Sequence, residues 1–434
     1  MKISHLLLLS IFSFVFSGCA THYQKTIAIQ DTFLRGDLAQ ADTLLTRSQA
    51  AYSDKDILLY YLDRGMVSHL RGKYEESNQF FERALERIDE LYAKSISREA
   101  MTYMINDLAH PYRGEDFEQV MIHYYMALNY LMLNDLDGAL VEARRVNLKL
   151  GELNEKYETK NRYKSDAFVL YLMGMIYEAE GDINDAFIAY RNAYETYQSD
   201  YQTFYALPAP TQLKKDLLRT SKALGFQTEY DTYASAFPNL TYIPQERYAE
   251  NGEIILIWDN GMVPYKGQDV VNLRIEDKID DQITVAFPYY IKRPPRTQSA
   301  RLSVGGKSVY TEKVQDVADI AVKNLEDRRL RITTKAVTRA TLKYGIQKQI
   351  EKEYGETAGC LFNIFSVATE AADTRSWLTL PDNIQVARLL VPPGTYTVTL
   401  DIMGSSGFTI EQFQYTGVRV EAGQKRFLRY RTFR

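Results

Sequence analysis

The spacing of apolar residues divides the chain into two regions. From Gln24 to Phe237, apolar residues recur every three or four positions, as in amphipathic helices, and Pro and Gly are scarce. After Gly252 the pattern changes to the alternation of strands, and helical spacing returns only between Val314 and Ala371. We therefore predict an α+β multidomain protein with an all-α helical repeat array at residues 19–245. A β-rich, sandwich-like domain follows at 246–434, with a helical insert at about 314–371.

The β-rich region shows short alternating runs bounded by turn residues. The predicted strands are 253–258, 282–290, 301–304, 384–391, 395–402, 408–415, 418–421 and 426–430. The predicted helices between them are 314–325, 329–353 and 360–371. Because the strands lie on both sides of the helices in sequence, we expect the early and late strands to share one sheet system.

Three segments of the array carry the same internal pattern of small and aromatic residues. These are Gly174, Gly181, Ala186, Tyr190 and Ala193; then Gly65, Gly72, Ser77, Phe81 and Ala84; and then Ala127, Asn134, Ala139 and Ala143. The pattern resembles the tetratricopeptide repeat, a 34-residue helical hairpin. Small residues at Gly174 and Ala186 would let two helices approach closely, and Gly181 lies where the first helix must end. We expect Tyr190 to pack on the next hairpin. Further helices are predicted at 88–108, 211–224 and 228–236.

The composition is that of an ordinary globular protein. The chain has 434 residues, of which 45% are hydrophobic and 25% are charged, so disorder and a disulfide scaffold are excluded. A mean hydropathy of -0.33 argues against a multi-span membrane protein, and the net charge of -4 argues against a nucleic-acid partner. Residues 1–250 hold 26 basic and 35 acidic residues, whereas 251–434 hold 26 and 21. This division suggests that the two regions attract each other or meet different partners.

The N-terminus has the features of a secretion signal that ends in a lipid attachment site. Lys2 precedes an apolar run from Leu6 to Phe16, which is followed by Ser17-Gly18-Cys19. These residues resemble the lipobox of bacterial lipoproteins, although Phe16 replaces the usual Leu. The resemblance implies a signal peptide at 1–18 and acyl chains, such as palmitate, on Cys19. Because Ala20 rather than Asp follows, we expect anchoring to the outer membrane, facing the periplasm. The alternative is an ordinary signal peptide with a chance cysteine.

The residues that usually carry catalysis are sparse. The last of the five histidines is His123, so the β-rich region can hold neither a histidine base nor a histidine metal site. We expect no enzymatic activity, metal or cofactor, although carboxylate pairs of glycosidases depend on distances in the fold and stay open. Cys360, the only other cysteine, lies among apolar neighbours and is expected to be a buried thiol.

Three groups of residues are candidates for binding. The first is the loop with Asp373, Arg375 and Trp377, which is either a binding loop or a buried Trp beside an Asp–Arg pair. The second is the linker with His110, Arg113 and Glu115, which is either a ligand-facing loop or a capped turn. The third is the basic stripe of Arg331, Lys335, Arg339 and Lys343, spaced every four residues on one helix face. It either docks on an anionic surface, with the acidic array as the expected partner, or is a solvated face.

Several longer strings add a resemblance that covers most of the chain. They are Tyr112-Arg113-Gly114-Glu115 with Glu118, Tyr125 to Tyr130, Leu213 to Leu218, Pro264 before Lys266, Leu325 to Arg329, and Ala372 to Trp377. These strings resemble an uncharacterised family of bacterial lipoproteins with tetratricopeptide-like repeats and a C-terminal β-rich domain. The resemblance implies the same architecture and no established activity, so it transfers no catalytic residue.

These features together predict a lipid-anchored periplasmic scaffolding protein. The array would bind a protein segment, and the β-rich domain would engage envelope material, such as peptidoglycan, or a second protein. Two alternatives stay open. One is an activator of a peptidoglycan synthase, a penicillin-binding protein, which rests on architecture alone. The other is a carboxylate-based glycan hydrolase.

Overall fold

The computed structural model describes residues 24, 26–95, 108, 110–156, 162–274, 282–368 and 370–434. Helices α1 to α12 are Ile27–Leu34, Leu38–Ser48, Ile57–Leu70, Tyr74–Ser95, Asp116–Met132, Leu136–Lys156, Ala167–Glu180, Ile183–Thr196, Gln202–Tyr205, Thr211–Ala223, Gln227–Ala236 and Gln245–Glu250. The predicted signal peptide and Cys19 lie outside the described residues. So do residues 96–107 of the predicted helix 88–108. Among the described residues, no helix combines the length and apolar character that crossing a membrane requires.

The predicted helical-repeat architecture is confirmed, with α3/α4, α5/α6 and α7/α8 as its three hairpins. The last hairpin shows why the chain turns where it does. The carboxylate of Asp166 accepts a hydrogen bond from the Val169 amide at the start of α7, and Asp182 caps α8 in the same way. Between the two helices Gly181 has a φ of 87°, a left-handed conformation that ends α7.

Glycine allows the two helices of a hairpin to come close together. A Cβ atom added to Gly174 would lie 2.2 Å from the ring of Tyr190, and one added to Gly65 would lie 2.4 Å from the ring of Phe81. The same contact at the same offset in two hairpins confirms that they are repeats of one unit. It also changes one expectation, because Tyr190 packs within its own hairpin, against Gly174.

The strands form two four-stranded sheets and one two-stranded sheet. Strands β1 to β10 are Gly252–Asn260, Tyr265–Arg274, Gln282–Ile291, Thr297–Val304, Lys307–Tyr310, Glu312–Asp316, Asn383–Val391, Gly394–Gly404, Thr409–Val420 and Lys425–Arg431. Sheet A has the order β10-β1-β7-β6, and sheet C has the order β5-β4-β8-β9. Early and late strands therefore share both larger sheets, as expected. The hairpin β2-β3 stands apart, and β2, β5 and β6 were not predicted.

Two helices interrupt the strands. α13 is Val317–Tyr354 and α14 is Glu356–Ala368. α13 is one continuous helix of 38 residues, not the two helices expected. It begins later than predicted because residues 312–316 form β6. Cys360 is exposed on α14, so its predicted burial is wrong.

Sheet A lies between sheet C and the helices. Ile254, Leu256 and Trp258 of β1 face a sandwich core shared with sheet C. The alternate residues Ile255 and Ile257 join the largest core, which contains residues of α1 to α8. Because this core crosses from the helical array into sheet A, the array and the sandwich are packed together as adjoining layers of one structure.

Candidate binding site

The structure brings the first two candidate groups together at the joint between the array and the β-rich region. Arg375 donates to Asp373 at 2.7 and 2.9 Å, to Asp56 at 3.1 Å and to the carbonyl oxygen of His110 at 3.0 Å. His110 thus contributes its backbone. The side chain of Arg113 is exposed, and its carbonyl accepts a hydrogen bond from Gln119.

Trp377 is fully buried against the array. Its ring centroid lies 5.7 Å from that of Phe81 and 6.0 Å from that of Tyr125. Its backbone amide donates to a carboxylate oxygen of Glu118 at 2.7 Å. Of the two interpretations of the loop with Asp373, Arg375 and Trp377, the structure therefore agrees with a buried Trp beside an Asp–Arg pair, not with an exposed binding loop.

Carboxylates from α5 meet cations from the β-rich region at the same joint. Glu115 pairs with Lys266 of β2 at 2.5 Å and with Arg328 of α13. The hydroxyl of Tyr112 donates to Glu118 at 2.5 Å. Burial raises the pKa of Glu118 to about 7, although the hydrogen bond from Tyr112 and the charge of Lys266 oppose the shift. Four of the sequence strings quoted for the family resemblance thus converge on one internal network.

The basic stripe on α13 does not form a single solvated face. Arg339 is buried and donates to Glu370 at 2.7 Å, and Lys343 donates to the same carboxylate at 3.1 Å. Arg331 is exposed, whereas Lys335 is partly buried. Arg339 and Lys343 therefore pair with a carboxylate from the chain just after α14. Docking of the stripe on the acidic array stays a prediction.

A second buried network was missed by the sequence analysis. Its carboxylates and cations come from α7, α10, β1, β7 and β10 and are Glu178, Asp216, Glu253, Arg219, Arg388 and Lys425. At its centre, Arg388 donates to Asp216 at 2.6 Å and to Glu253 at 2.8 Å. Burial alone would raise the pKa of Glu253, but the charges of Arg388 and Lys425 outweigh it and lower the pKa to about 2. The network therefore holds charged residues of the array and of sheet A together.

Tyrosines of the array also bind to the β-rich region. The hydroxyl of Tyr125 donates to Asp259 of β1 at 2.8 Å. The hydroxyl of Tyr197 donates to the carbonyl of Val314 at 2.7 Å, and that of Tyr201 donates to Gln315 at 2.8 Å. All three tyrosines are fully buried. The tyrosine-rich face of the array is thus covered by the chain's own strands.

An open cleft of about 1020 Å³ lies at the edge of this joint. Its walls are the ends of α1, α3 and α5, the starts of α2 and α4, strand β9, and strand β10 from Arg426 onward. Six arginines line it: Arg35, Arg296, Arg426, Arg429, Arg431 and Arg434. We call this site the arginine cleft. Glu411 is the one carboxylate side chain among its lining residues.

The six arginines differ from the buried arginines of the two networks. Within the described ranges, none of the six forms an ion pair with a carboxylate. Arg429 donates to the carbonyl oxygens of His69 and Leu70 at 2.8 and 3.1 Å, where the C-terminus of α3 carries partial negative charge. Arg426 donates to the amide oxygen of Asn134 and Arg431 to the carbonyl of Thr379. The buried carboxyl group of Asp259 is close enough to Arg431 and Arg429 for their charges to oppose the rise that burial causes in its pKa. Six guanidinium groups still outnumber Asp259 and Glu411, so the cleft keeps an excess of positive charge.

Aromatic residues accompany the arginines. Phe413 of β9 is 39% exposed, and its ring centroid lies 4.9 Å from that of Tyr430. Ile410, 56% exposed, extends this apolar wall. The hydroxyl of Tyr430 donates a hydrogen bond to Glu411, the one carboxylate side chain of the cleft lining. Aromatic residues and arginine are both enriched in protein–protein interfaces relative to the rest of the protein surface.

The sequence analysis missed the arginine cleft, although one signal was present. Residues 426–434 contain four arginines in nine positions, which contributes to the basic excess of residues 251–434. Arg35 and Arg296 come from distant parts of the chain, so only the fold brings them to the same cleft. In the part of the chain that the structure describes, no group of three or more His, Cys, Asp or Glu residues is arranged to hold a metal.

Comparisons with known proteins give only weak similarities. A family model described as cohesin loading factor matches residues 42–217, which is less than half of the chain. BtubC from P. vanneervenii is 15% identical, with a TM-score of 0.34, and the match covers 49% of this chain and 76% of that one. A putative kinesin light chain with TPR-like repeats from Podosopora anserina is 12% identical, with a TM-score of 0.32 and coverages of 50% and 95%. TM-scores this low say nothing about function. No curated protein matches.

Proposed function

We propose that this protein is a lipid-anchored scaffolding protein of the bacterial cell envelope that binds an anionic partner in the arginine cleft. The observation that carries the proposal is the group of six arginines around an open cleft, none of which forms an ion pair with a carboxylate of the described residues. Three fully buried guanidinium groups, those of Arg219, Arg339 and Arg388, pair by contrast with carboxylates of the chain itself. A partner with negative charge would supply the missing counterions.

The array in this proposal is a frame, and the partner binds at its edge. The tyrosine-rich face of the array already holds sheet A, so we place the partner beside β9 and β10. The array reaches the cleft with helix ends alone, namely the ends of α1, α3 and α5 and the starts of α2 and α4. This location replaces our expectation that the array itself holds the partner segment.

We further propose that the protein binds its partner without catalysis. A glycan hydrolase of the usual kind needs two carboxyl groups about 5–10 Å apart. The lining of the arginine cleft supplies only Glu411, whose carboxylate accepts the hydroxyl of Tyr430. No histidine is among the lining residues either. The composition of the cleft therefore favours binding over acid–base chemistry.

The lipobox-like sequence supports a location at the membrane. If Cys19 is acylated, the chain reaches Leu34 at the cleft wall after 15 residues. With α1 helical, those residues span at most about 40 Å. The proposed partner is therefore within that reach of the periplasmic face of the outer membrane.

Photocrosslinking in intact cells tests the proposal. A photoreactive amino acid is placed at Phe413 in the cleft and, as a control, at Ile188 on α8, which is 38% exposed. We expect a specific protein crosslink from position 413 that Arg35→Gln with Arg296→Gln abolishes. Arg419→Gln is the matched control, since Arg419 lies on β9 outside the cleft. Crosslinks from position 188 alone, or crosslinks from 413 that ignore the arginine changes, would refute the proposal. Capture of a penicillin-binding protein would support the synthase-activator alternative.

A further inference from the structure

The arginine cleft runs along the free edge of a strand. β10 is the outermost strand of sheet A, where it pairs with β1 in parallel. All of its residues from Arg426 to Arg431 line the cleft. An edge strand offers a row of backbone donors and acceptors that a further strand can use.

Two ladder bonds fix which backbone groups of β10 point into the cleft. The carbonyl of Gln424 accepts from the Glu253 amide, and the Thr432 amide donates to the carbonyl of Asp259. The backbone amide and carbonyl groups of the even-numbered residues of β10 therefore bond to β1. Those of Phe427, Arg429 and Arg431 point away from β1, into the cleft. Over the described residues, the amides of these three form no backbone hydrogen bond. The hydroxyl of Tyr415 donates to the carbonyl of Arg429 at 2.6 Å, in the place that the amide of an added strand would take.

The two sides of this edge differ in chemistry. Phe427 belongs to the core on the array side, where the guanidinium groups of Arg429 and Arg431 also lie. Leu428 belongs to the sandwich core, and Tyr430 packs against that core and against the ring of Phe413. Arg426 has the same register but lies at the start of β10, where it donates to Asn134. A strand added at this edge would therefore turn alternate side chains toward the arginines and the others toward apolar groups of β9.

We infer that the arginine cleft binds an extended peptide segment of a partner protein, in which acidic and apolar residues alternate, by adding it as a strand to the free edge of β10. The inference rests on the proposed function and names the partner's chemistry. Main-chain hydrogen bonds supply part of the affinity, and alternate side chains supply specificity.

A peptide fits this site better than other anions do. Lipid headgroups or acidic glycans would satisfy the arginines, but they would leave the outward amides of Phe427, Arg429 and Arg431 unused. Only a polypeptide presents donors and acceptors at the spacing of a strand, about 3.3 Å per residue. The apolar wall formed by Ile410 and Phe413 requires apolar groups on the same ligand.

Fluorescence anisotropy with a designed peptide tests the inference on the whole protein. The probe is a labelled ten-residue peptide in which Glu alternates with Val and Thr. Its partner probe has the same sequence but is N-methylated at alternate residues, which removes backbone donors and keeps the charge. We expect the unmodified peptide to bind at least tenfold more tightly. Equal binding of both peptides would overturn strand addition.

Variants of the protein separate charge from backbone pairing. Arg35→Gln with Arg296→Gln should weaken binding about two- to fivefold for each arginine removed, the range for exposed charge pairs. Arg419→Gln, on β9 outside the cleft, should bind as the wild type does. Tyr415→Phe removes the hydroxyl that competes for the Arg429 carbonyl, so we expect it to bind the peptide more tightly. Weaker binding by Tyr415→Phe would contradict the assigned edge.

Competition distinguishes failure of the inference from failure of the proposed function. Vesicles of phosphatidylglycerol that displace the peptide, together with indifference to N-methylation, would show a general anion site and overturn strand addition. The crosslink from Phe413 in cells would still stand in that case. Loss of both the crosslink and the peptide binding would overturn the two together.

Discussion

Asp63 provides the sharpest test of how the array and the β-rich region are packed. This carboxyl group is fully buried on α3, and within the described structure its hydrogen-bond partner is a neutral one, the hydroxyl of Thr379 at 3.0 Å. Burial raises its pKa from 3.8 to about 7, against the weaker effect of the Thr379 hydrogen bond. Ionised Asp63 is thus unfavourable in the folded state.

The magnitude follows from linkage. The folded state binds the proton more tightly than the unfolded state, so the stabilising effect of protonated Asp63 is complete below about pH 4. It is lost as the pH rises toward 7, by about 1.4 kcal/mol per unit and about 4 kcal/mol in all. Asp63→Asn keeps an oxygen to accept from Thr379 and cannot ionise. We expect the variant to gain stability over the wild type by about that amount between pH 4 and pH 7.

Urea unfolding at half-unit steps from pH 4 to 8 measures this difference. Asp137→Asn on the exposed surface of α6 is the control and should stay within about 0.5 kcal/mol of the wild type throughout. A difference between Asp63→Asn and the wild type that does not change with pH would refute the burial of Asp63. The reasoning would also be refuted if Asp63→Asn lost stability relative to the wild type as the pH rises from 4 to 8.

Three further predictions concern packing, the buried network and the anchor. Gly174→Ala should lower stability by about 1–3 kcal/mol because its Cβ meets the ring of Tyr190, whereas Gly151→Ala, with nothing within 4 Å, should raise it by about 0.5–1 kcal/mol in thermal melts. Arg388→Met removes the cation between the buried carboxylates of Asp216 and Glu253, so we expect it to lower the free energy of unfolding in urea by about 3–5 kcal/mol. A loss of stability below about 1 kcal/mol would contradict the network. Cys19→Ser should move the protein from the membrane to the soluble fraction, and retention on membranes at high salt would disprove the lipid anchor.

The elements were largely predictable because each long helix and strand carries its own periodicity. The prediction failed where local pattern and tertiary context disagree. Strand β6 was merged into a helix because Val314 and Val317 have helical spacing, although β7 pairs with residues 312–316. Cys360 was expected to be buried from its apolar neighbours, but α14 packs on α13 with one face only and leaves Leu361 63% exposed.

The sequence allowed candidate residues to be chosen, but it did not show which of them lie close together in the fold. Asp373, Arg375 and Glu115 stand out in the sequence, yet nothing in their spacing shows that they meet inside the molecule. Arg35 and Arg296 carry no local signal, because an isolated arginine in sequence is most often a solvated one. Their role depends on the turn after α1 and the start of β4 meeting beside β10, which only the tertiary structure shows.

The array and the β-rich region share one core, with the arginine cleft at its edge. The most direct test of this shared core compares two probes in a single urea titration. The two tryptophans, Trp258 and Trp377, lie in the β-rich region, and both are fully buried. Circular dichroism at the helical band reports mainly on the array. We predict that tryptophan fluorescence and helical ellipticity are lost in one coincident transition. Two separate transitions, with helices that persist after both tryptophans are exposed, would contradict the shared core.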